Sequence, residues 1–210
     1  MSAVLRPNLS SEALLRDVTS LDLRAFLARH GSAPLLLVRI PPGDAELELG
    51  LAAALDTGAG PRSVAKPLPF RTTHQTPPKE SPRAFEASSE QRIRVANLLA
   101  KHAYVAVPLQ KRDDGDAMSM DRISVGRAQN KDIVLRHASI SKFHAWFEVD
   151  PSQAVRLSDG GSTNRTQVNG RPIEPRMSVT LAPGDSLQFG AVEAVLCSPE
   201  MLWWCFNRSA

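Results

Sequence analysis

The chain has 210 residues, of which 42% are hydrophobic, so it can bury a substantial core in one large or two small domains. Its net charge is +3, but residues 103–199 hold 11 Lys/Arg and 11 Asp/Glu, so the excess lies in the N-terminal half. A diffuse excess of this size is not the basic stripe that nucleic acid requires. No apolar stretch reaches the roughly 20 residues that span a bilayer. We therefore expect neither nucleic acid nor a membrane as a partner.

The N-terminus and the cysteines indicate the compartment. Residues 1–7 show no basic region leading into an apolar one, so we expect no signal peptide and a cytoplasmic protein. Cys197 and Cys205 do not suggest a disulfide framework, and we expect them to be buried thiols.

Residues 1–55 are predicted to form a small helix–strand–helix region. Thr19 or Ser20 is a suitable helix N-cap, and Gly31 is a suitable C-terminal stop. The run Leu35–Ile40 then predicts a buried strand, and a short helix is predicted around Leu47–Leu55. Such a unit is small for an independent domain.

The next segment, residues 56–82, is predicted to be an extended linker, because its 27 residues include six prolines and two glycines. Thr72, Thr73 and Thr76 lie in it and are either phosphorylation sites or solubilising linker residues. Residues 83–102 are predicted to form a helix, with Ile93, Ala96 and Leu99 on its apolar face.

From residue 103 the hydrophobic period changes to two. Short strand-like segments follow one another to residue 198, and turn signals such as Asn169-Gly170 separate them. We therefore predict a mainly β protein, with an antiparallel β-sandwich at 103–198 and a smaller α/β region and linker before it. The apolar tail, residues 199–210, is predicted to pack back onto the sandwich or to form a partner-binding patch.

Three predicted loops concentrate side chains that suit an oxyanion with several acceptor oxygens. They supply an arginine, a lysine, two hydroxyls and a carboxamide, namely Arg127, Lys142, Ser141, Thr163 and Asn164. Loops on a rigid scaffold are where binding groups are usually carried. Five cations lie in or beside these loops and favour a small anionic ligand: Arg127, Lys131, Arg136, Lys142 and Arg165.

The order and spacing of these motifs resemble those of the forkhead-associated (FHA) family of phosphothreonine-binding domains. The shared elements are Gly126-Arg127, Ser141-x-x-His144 and the stretch from Asn164 to Gly170, within about residues 103–197. The resemblance implies an FHA-like sandwich in which Arg127 and Ser141 contact the phosphate. It places Lys142 and Thr163 beside the phosphate, Asn164 on the peptide backbone, and His144 as a brace for the loops. Gly126 and Asn169 are predicted to support the loops as turn formers.

Arg165 departs from the family pattern, which has glycine after the asparagine. If the turn needs a positive φ at this position, a non-glycine residue costs roughly 1 kcal/mol. Arg165 then either reshapes the loop around Asn164 or supplies another cation to the ligand.

The resemblance implies a phosphothreonine-dependent binding module in Ser/Thr kinase signalling, whose partner is a threonine-phosphorylated protein or peptide. A Ser/Thr kinase is a candidate partner, and self-association through a phosphorylated linker threonine is another. The alternative is a phosphorylation-independent scaffolding module on the same fold. The sequence shows no metal-ligand cluster, nucleophile elbow or P-loop, so we expect no enzyme activity, metal or cofactor.

Overall fold

A computed structural model describes residues 8–9, 12–43, 47, 87–112, 121–151, 154–174 and 177–207. Twelve strands occur there: β1 (Asn8–Leu9), β2 (Leu35–Ile40), β3 (Ala103–Pro108), β4 (Ile123–Gly126), β5 (Ile133–Val134), β6 (Ala145–Val149), β7 (Val155–Asp159), β8 (Thr166–Val168), β9 (Arg171–Pro172), β10 (Ser178–Leu181), β11 (Ser186–Phe189) and β12 (Val192–Cys197). The helices are α1 (Glu12–Ser20), α2 (Leu23–His30), α3 (Ser89–Lys101) and α4 (Pro199–Phe206). Leu47 is helical, but the remainder of the helix predicted at 47–55 lies outside the described residues, as do Thr72, Thr73 and Thr76.

The strands form two sheets that pack face to face. The larger sheet has the order β1-β3-β2-β12-β11-β8-β9, and the smaller has the order β10-β7-β6-β4-β5. Most neighbours are antiparallel, whereas the short pairs β1–β3 and β4–β5 are parallel. One hydrophobic core fills the space between the sheets, with Phe147 of the smaller sheet and Phe189 of the larger fully buried and in edge contact. The mainly β sandwich predicted from the sequence is therefore the observed fold.

Strand β2 comes from the N-terminal region yet lies in the middle of the larger sheet. All six of its residues pair with β3, and four of them, Leu35 to Val38, also pair with β12. Sequence reasoning had grouped this strand with a region separate from the sandwich. The sequence could not show that β2 belongs to the sandwich, because the pairing of β2 with β3 and β12 joins residues about 60 to 160 positions apart in the chain. No local pattern encodes such pairing.

Both faces of the larger sheet are covered, which explains the unbroken apolar run of β2. Leu36 and Val38 face the core between the sheets, whereas Leu35 and Leu37 face a second core under the helices. A strand that is buried on both faces has an unbroken run of hydrophobic residues instead of alternating apolar and polar residues. The tail helix α4 contributes Met201 and Leu202 to this second core, so the tail packs onto the sandwich. Cys197 and Cys205 are buried there and form no disulfide in the described part of the chain.

The helix boundaries follow their capping residues. Thr19 and Ser20 end α1, and their hydroxyls donate to carbonyls of the preceding turn, so Asp22 instead caps α2 by accepting from the Ala25 amide. Gly31 ends α2 at φ +75°, as predicted. A capping box formed by Ser88 and Gln91 starts α3 at Ser89, and residues 83–86 of the predicted helix lie outside the described residues.

The apolar face of α3 also differs from the prediction. Val95, Ala96 and Leu99 are its buried residues, whereas the side chain of Ile93 is 43% exposed. Within the described ranges, no helix combines the length and apolar character needed to cross a bilayer.

Candidate functional site

Arg127 directly follows the last residue of β4, and hydrogen bonds hold its backbone and the Nε of its side chain. Its backbone amide donates to the Ser141 carbonyl over 2.9 Å, and its Nε donates to the Ile140 carbonyl over 3.1 Å. The residue is exposed, and among the described residues its two terminal guanidinium nitrogens have no hydrogen-bond partner. Anchoring at Nε restricts the rotamer while the planar pair of terminal donors stays available to a ligand.

Gly126 is required by close packing instead of turn geometry. A Cβ at this position would lie 2.3 Å from the Lys142 carbonyl oxygen, well inside van der Waals contact. That carbonyl also accepts from the Ala128 amide over 3.3 Å. The missing side chain therefore lets the loop of residues 141–144 lie directly against the end of β4. Gly126 was predicted to form a turn, but its role in the structure is to allow the close approach of two backbone segments.

Ser141 and Thr163 bring two of the loops together. The Thr163 amide donates to the Ser141 hydroxyl oxygen over 3.1 Å. The hydroxyl itself donates toward Thr163 Oγ1 at 3.5 Å, the limit of a hydrogen bond. The Ser141 hydroxyl proton is therefore held weakly and can turn to an acceptor from outside. Ser141 is half-buried and Thr163 exposed, so both can reach such an acceptor.

His144 is fully buried beneath these loops and joins them through both ring nitrogens. Nδ1 accepts from the Ser141 amide over 3.1 Å, so Nε2 carries the proton and donates to the Arg165 carbonyl over 3.3 Å. Burial lowers the pKa of the imidazole, against the opposing effects of the Arg165 carbonyl and the Asp159 carboxylate. The neutral ring is the form that can accept at Nδ1 and donate at Nε2, so its lowered pKa maintains the brace.

Asp159 organises the third loop, although it was not among the candidate site residues predicted from the sequence. Its Oδ1 accepts from the amides of Gly161 and Ser162, and its Oδ2 accepts from the hydroxyls of Ser162 and Thr166. Burial raises the pKa of the carboxyl, but these hydrogen bonds outweigh burial and the net pKa lies below its usual range. Aspartate directly before Gly-Gly-Ser-Thr is the sequence signal, because such side chains accept from amides two or three residues on.

Asn164 and Arg165 connect the third loop to the segment before Ser141. Asn164 Nδ2 donates to the Ser139 carbonyl over 2.8 Å. Arg165 has φ +61°, so the turn does use the left-handed conformation without glycine. Its carbonyl accepts from His144 Nε2 and from the Gly190 amide. The backbone at Arg165 therefore supports the loops, while its exposed side chain is directed to solvent.

The structure brings five predicted site residues into loops that bond to one another: Arg127, Ser141, Lys142, Thr163 and Asn164. Asn169 is not among them. It follows β8 at the end opposite Arg165, has φ +51°, and bridges to the Asp185 carboxylate and the Ser186 amide. Asn169 therefore braces a turn at the other end of the sandwich instead of the candidate site.

The cations at the loops are largely unneutralised. Within the described ranges, Arg127, Lys142 and Arg165 form no ion pair. Lys131 is buried, with Nζ 5.1 Å from the centre of the Phe143 ring. The same part of the chain offers no group of three or more His, Cys, Asp or Glu able to hold a metal ion. The site is therefore a set of fixed hydrogen-bond donors with exposed positive charge, which suits an anion.

Residues 123–190 match the family model described as the FHA domain. This part of the chain is an FHA domain. Its family model covers the three loops that carry the candidate site, Gly126-Arg127, residues 141–144 and residues 159–170. The family resemblance of the C-terminal half, drawn from the sequence motifs, is thereby confirmed.

Two curated relatives are similar to part of this chain. An FHA domain-containing protein of Arabidopsis thaliana is 33% identical over 87 residues, which cover 40% of this chain and 22% of the relative. The glycogen accumulation regulator GarA of Mycolicibacterium smegmatis is 36% identical over 72 residues, which cover 34% of this chain and 43% of GarA. The chain thus spans less than half the length of either relative.

Solved structures also match part of the chain. The FHA domain of the CT664 protein from Chlamydia trachomatis is 30% identical, with a TM-score of 0.36, covering 44% of this chain and 83% of that chain. A structure of Mycobacterium tuberculosis EmbR in complex with a low affinity phosphopeptide is 28% identical, with a TM-score of 0.34, covering 37% of this chain and 20% of that chain.

Proposed function

We propose that the FHA domain of this protein binds a phosphothreonine peptide through the loops around Arg127. The observation that carries the proposal is the geometry of Arg127, which is anchored at Nε while its terminal nitrogens remain available beside the Ser141 hydroxyl. An arginine fork binds two phosphate oxygens at once, and the third oxygen can accept from a neighbouring hydroxyl. Capture of phosphorylated motifs by arginine is the binding mode of FHA domains.

The charge distribution supports a peptide phosphate over a longer polyanion. A phosphothreonine carries close to two negative charges, and three cations without an ion pair in the described residues, Arg127, Lys142 and Arg165, lie in the joined loops. Residues 103–199 are neutral overall, so the attraction is local. In this proposal Thr163 lies beside the phosphate, and Asn164 contacts the peptide backbone through the amide oxygen that its bond to Ser139 leaves available.

We further propose that the partner is a threonine-phosphorylated protein in a Ser/Thr kinase signalling system, with the kinase itself as one candidate. Binding without catalysis is the expected activity, in the cytoplasm. Self-association through phosphorylated Thr72, Thr73 or Thr76 is a second candidate. Light scattering of the phosphorylated protein before and after phosphatase treatment tests it, and a monomer in both states excludes it.

The central experiment compares Arg127→Ala with Arg171→Ala in the 210-residue chain. Both replacements remove one exposed arginine, but Arg171 lies in β9, whose pairing with Val168 puts it at the end of β8 remote from the loops. Loss of Arg127 removes charge-assisted hydrogen bonds worth about 1.5–3 kcal/mol each, so affinity falls at least about tenfold. Calorimetry with a phosphothreonine peptide library, and with the same peptides unphosphorylated, measures this.

Equal binding by Arg127→Ala and wild type would end the phosphate mechanism. The alternative function is a phosphorylation-independent scaffolding module. The observation that favours it is Asn164, whose amide nitrogen already donates to the Ser139 carbonyl, so that only its amide oxygen is left for a peptide. Under that alternative, dephosphorylating the partner leaves the complex intact, whereas the proposed function requires the complex to dissociate.

A further inference from the structure

The outer face of the smaller sheet carries two aromatic rings beside the candidate site. Phe143 and Trp146 lie almost parallel, with ring centres 5.9 Å apart and an interplanar angle of 8°. Phe143 is 38% exposed, and Trp146 is half-buried on the solvent side of β6. Phe143 alternates with His144 in step with Ala145 and Phe147, which are buried, but β6 begins at Ala145 and Phe143 lies outside it.

A cation lies over each ring. Lys131 Nζ is 5.1 Å from the centre of Phe143, and the Arg122 guanidinium is 4.8 Å from the centre of Trp146. The aromatic strip comprises these two rings and the two cations over them, namely Lys131, Phe143, Trp146 and Arg122. The indole nitrogen of Trp146 is buried and has no hydrogen-bond partner in the described part of the chain, so ring and cation contacts position this side chain.

The side chains of the strip pack closely against the backbone, which has glycines where they make contact. A Cβ on Gly160 would lie 2.7 Å from the Phe143 ring, so the ring packs directly on the backbone of the third loop. A Cβ on Gly126 would lie 3.2 Å from the side chain of Lys131. Two glycines therefore accommodate the strip, one in the loop that begins at Asp159 and one beside Arg127.

The strip is also continuous with the candidate phosphate site. Phe143 follows Ser141 by two residues and precedes the brace His144 by one, so the ring belongs to the loop that carries Ser141. The charges beyond the ring are mostly positive. Arg122 and Arg156 lie on the same face, and both pair with Glu148. One carboxylate shared by two exposed arginines leaves this face with a net positive charge.

We propose that the aromatic strip is a second subsite for the same phosphorylated partner, and that it accepts a segment with an apolar side chain flanked by acidic residues. The proposal rests on the proposed function, since the phosphothreonine delivers the segment to the strip. Apolar contact is made by the exposed part of Phe143. Acidic residues of the segment pair with Arg122 and Arg156. The strip thus selects among phosphothreonine sequences, whereas Arg127 and Ser141 recognise the phosphate.

The test uses the 210-residue chain and two sets of synthetic phosphothreonine peptides. One set carries leucine or phenylalanine with neighbouring aspartates, on either side of the phosphothreonine, and the other carries alanine at those positions. Wild type is expected to bind its preferred acidic–apolar peptide about fivefold more tightly than the alanine peptide, the size of one exposed aromatic and one exposed ionic contact. Phe143→Ser and Arg122→Gln are expected to reduce this ratio toward one while binding still requires the phosphate.

Ile93→Ser is the matched control, because it also replaces an exposed apolar side chain, on α3 at the opposite face of the molecule. It is expected to keep the wild-type ratio. Arg122→Gln keeps Phe143 in place, so the test stands if Phe143→Ser fails to fold. Phosphate-dependent binding with a ratio near one in wild type, or an unchanged ratio in both strip variants, overturns this inference and leaves the proposed function intact. Absence of phosphate-dependent binding in wild type overturns both.

Discussion

Strand β2 makes the N-terminal region part of the sandwich, and this leads to a strong prediction about fragments. The sandwich boundaries expected from the sequence, residues 103–198, exclude β2. In the structure β2 lies between β3 and β12 and pairs with both. A fragment of residues 103–198 therefore lacks a central strand and leaves two neighbouring strands with unpaired edges. We expect this fragment to be unfolded or aggregated.

The magnitude follows from the burial of β2. Its five aliphatic side chains, Leu35, Leu36, Leu37, Val38 and Ile40, are each at most 8% exposed. At about 1.5–3 kcal/mol for each buried side chain, their burial contributes on the order of 10 kcal/mol. The net stability of a whole domain is only about 5–15 kcal/mol. Loss of the strand is therefore comparable with the entire free energy of folding.

Circular dichroism and urea unfolding of residues 103–198, compared with the 210-residue chain, measure the effect. Adding residues 1–55 as a separate chain to residues 83–210 should restore a cooperative transition. Leu36→Ala in the full chain should cost about 2–5 kcal/mol, whereas Ile93→Ala, at an exposed position, should change stability by about 0.5 kcal/mol or less. A cooperatively folded 103–198 fragment that binds the same phosphopeptide as the full chain would refute the reasoning.

Three further predictions concern the loops. Arg165→Gly relieves the left-handed strain, worth about 1–2 kcal/mol, at an entropic cost of about 0.5–1 kcal/mol. It should therefore be more stable in urea than Arg165→Ala by about 0.5–1 kcal/mol, and equal stabilities would contradict this. Gly126→Ala forces a Cβ against the Lys142 carbonyl and should lower the free energy of unfolding by about 1–3 kcal/mol. The control Gly161→Ala, at φ +79° with no atom within 4 Å of the added Cβ, bears only backbone strain and should lower the free energy of unfolding by less than Gly126→Ala does. Asp159 should make wild-type stability fall on acidification, because its folded pKa lies below the usual value. This contribution is present above the usual pKa of about 3.9 and is lost as the pH falls through the folded value, so Asp159→Asn should show a weaker loss between about pH 5 and pH 2, and an identical loss would contradict it.

Much of the candidate site could be predicted from the sequence because its motifs are local. Three short segments make up the site: Gly-Arg, Ser-x-x-His and the third loop with its asparagines. Their residue types alone indicate hydrogen-bond donors, cations and turns. Their order along the chain was enough to indicate the FHA family. Arg165 was identified as a departure from the glycine of the pattern, and its φ of +61° shows that the turn adopts the left-handed conformation that favours glycine.

The parts that could not be predicted depend on contacts between distant segments. Asn169 carries a loop-like signal, but its partners are Asp185 and Ser186, so its role lies at the other end of the sandwich. The sequence indicates a turn at Gly126, whereas the structure shows that glycine is needed there because the Lys142 carbonyl lies against it. Phe143 fits the alternation of a strand, yet the strand begins two residues later and the ring lies on Gly160. Each error arises because the deciding neighbour is remote in the chain.

The sequence by itself determined the period-two pattern of a β-sandwich, the buried strand at Leu35–Ile40, and three loops whose residue types suit an anion. Only the tertiary structure decided that this strand completes the larger sheet and that Phe143 and Trp146 meet outside the core. Local patterns record which face of a segment avoids water, because that depends on neighbouring residues. They do not record what covers that face, since partners are chosen by packing and hydrogen bonding across the whole fold.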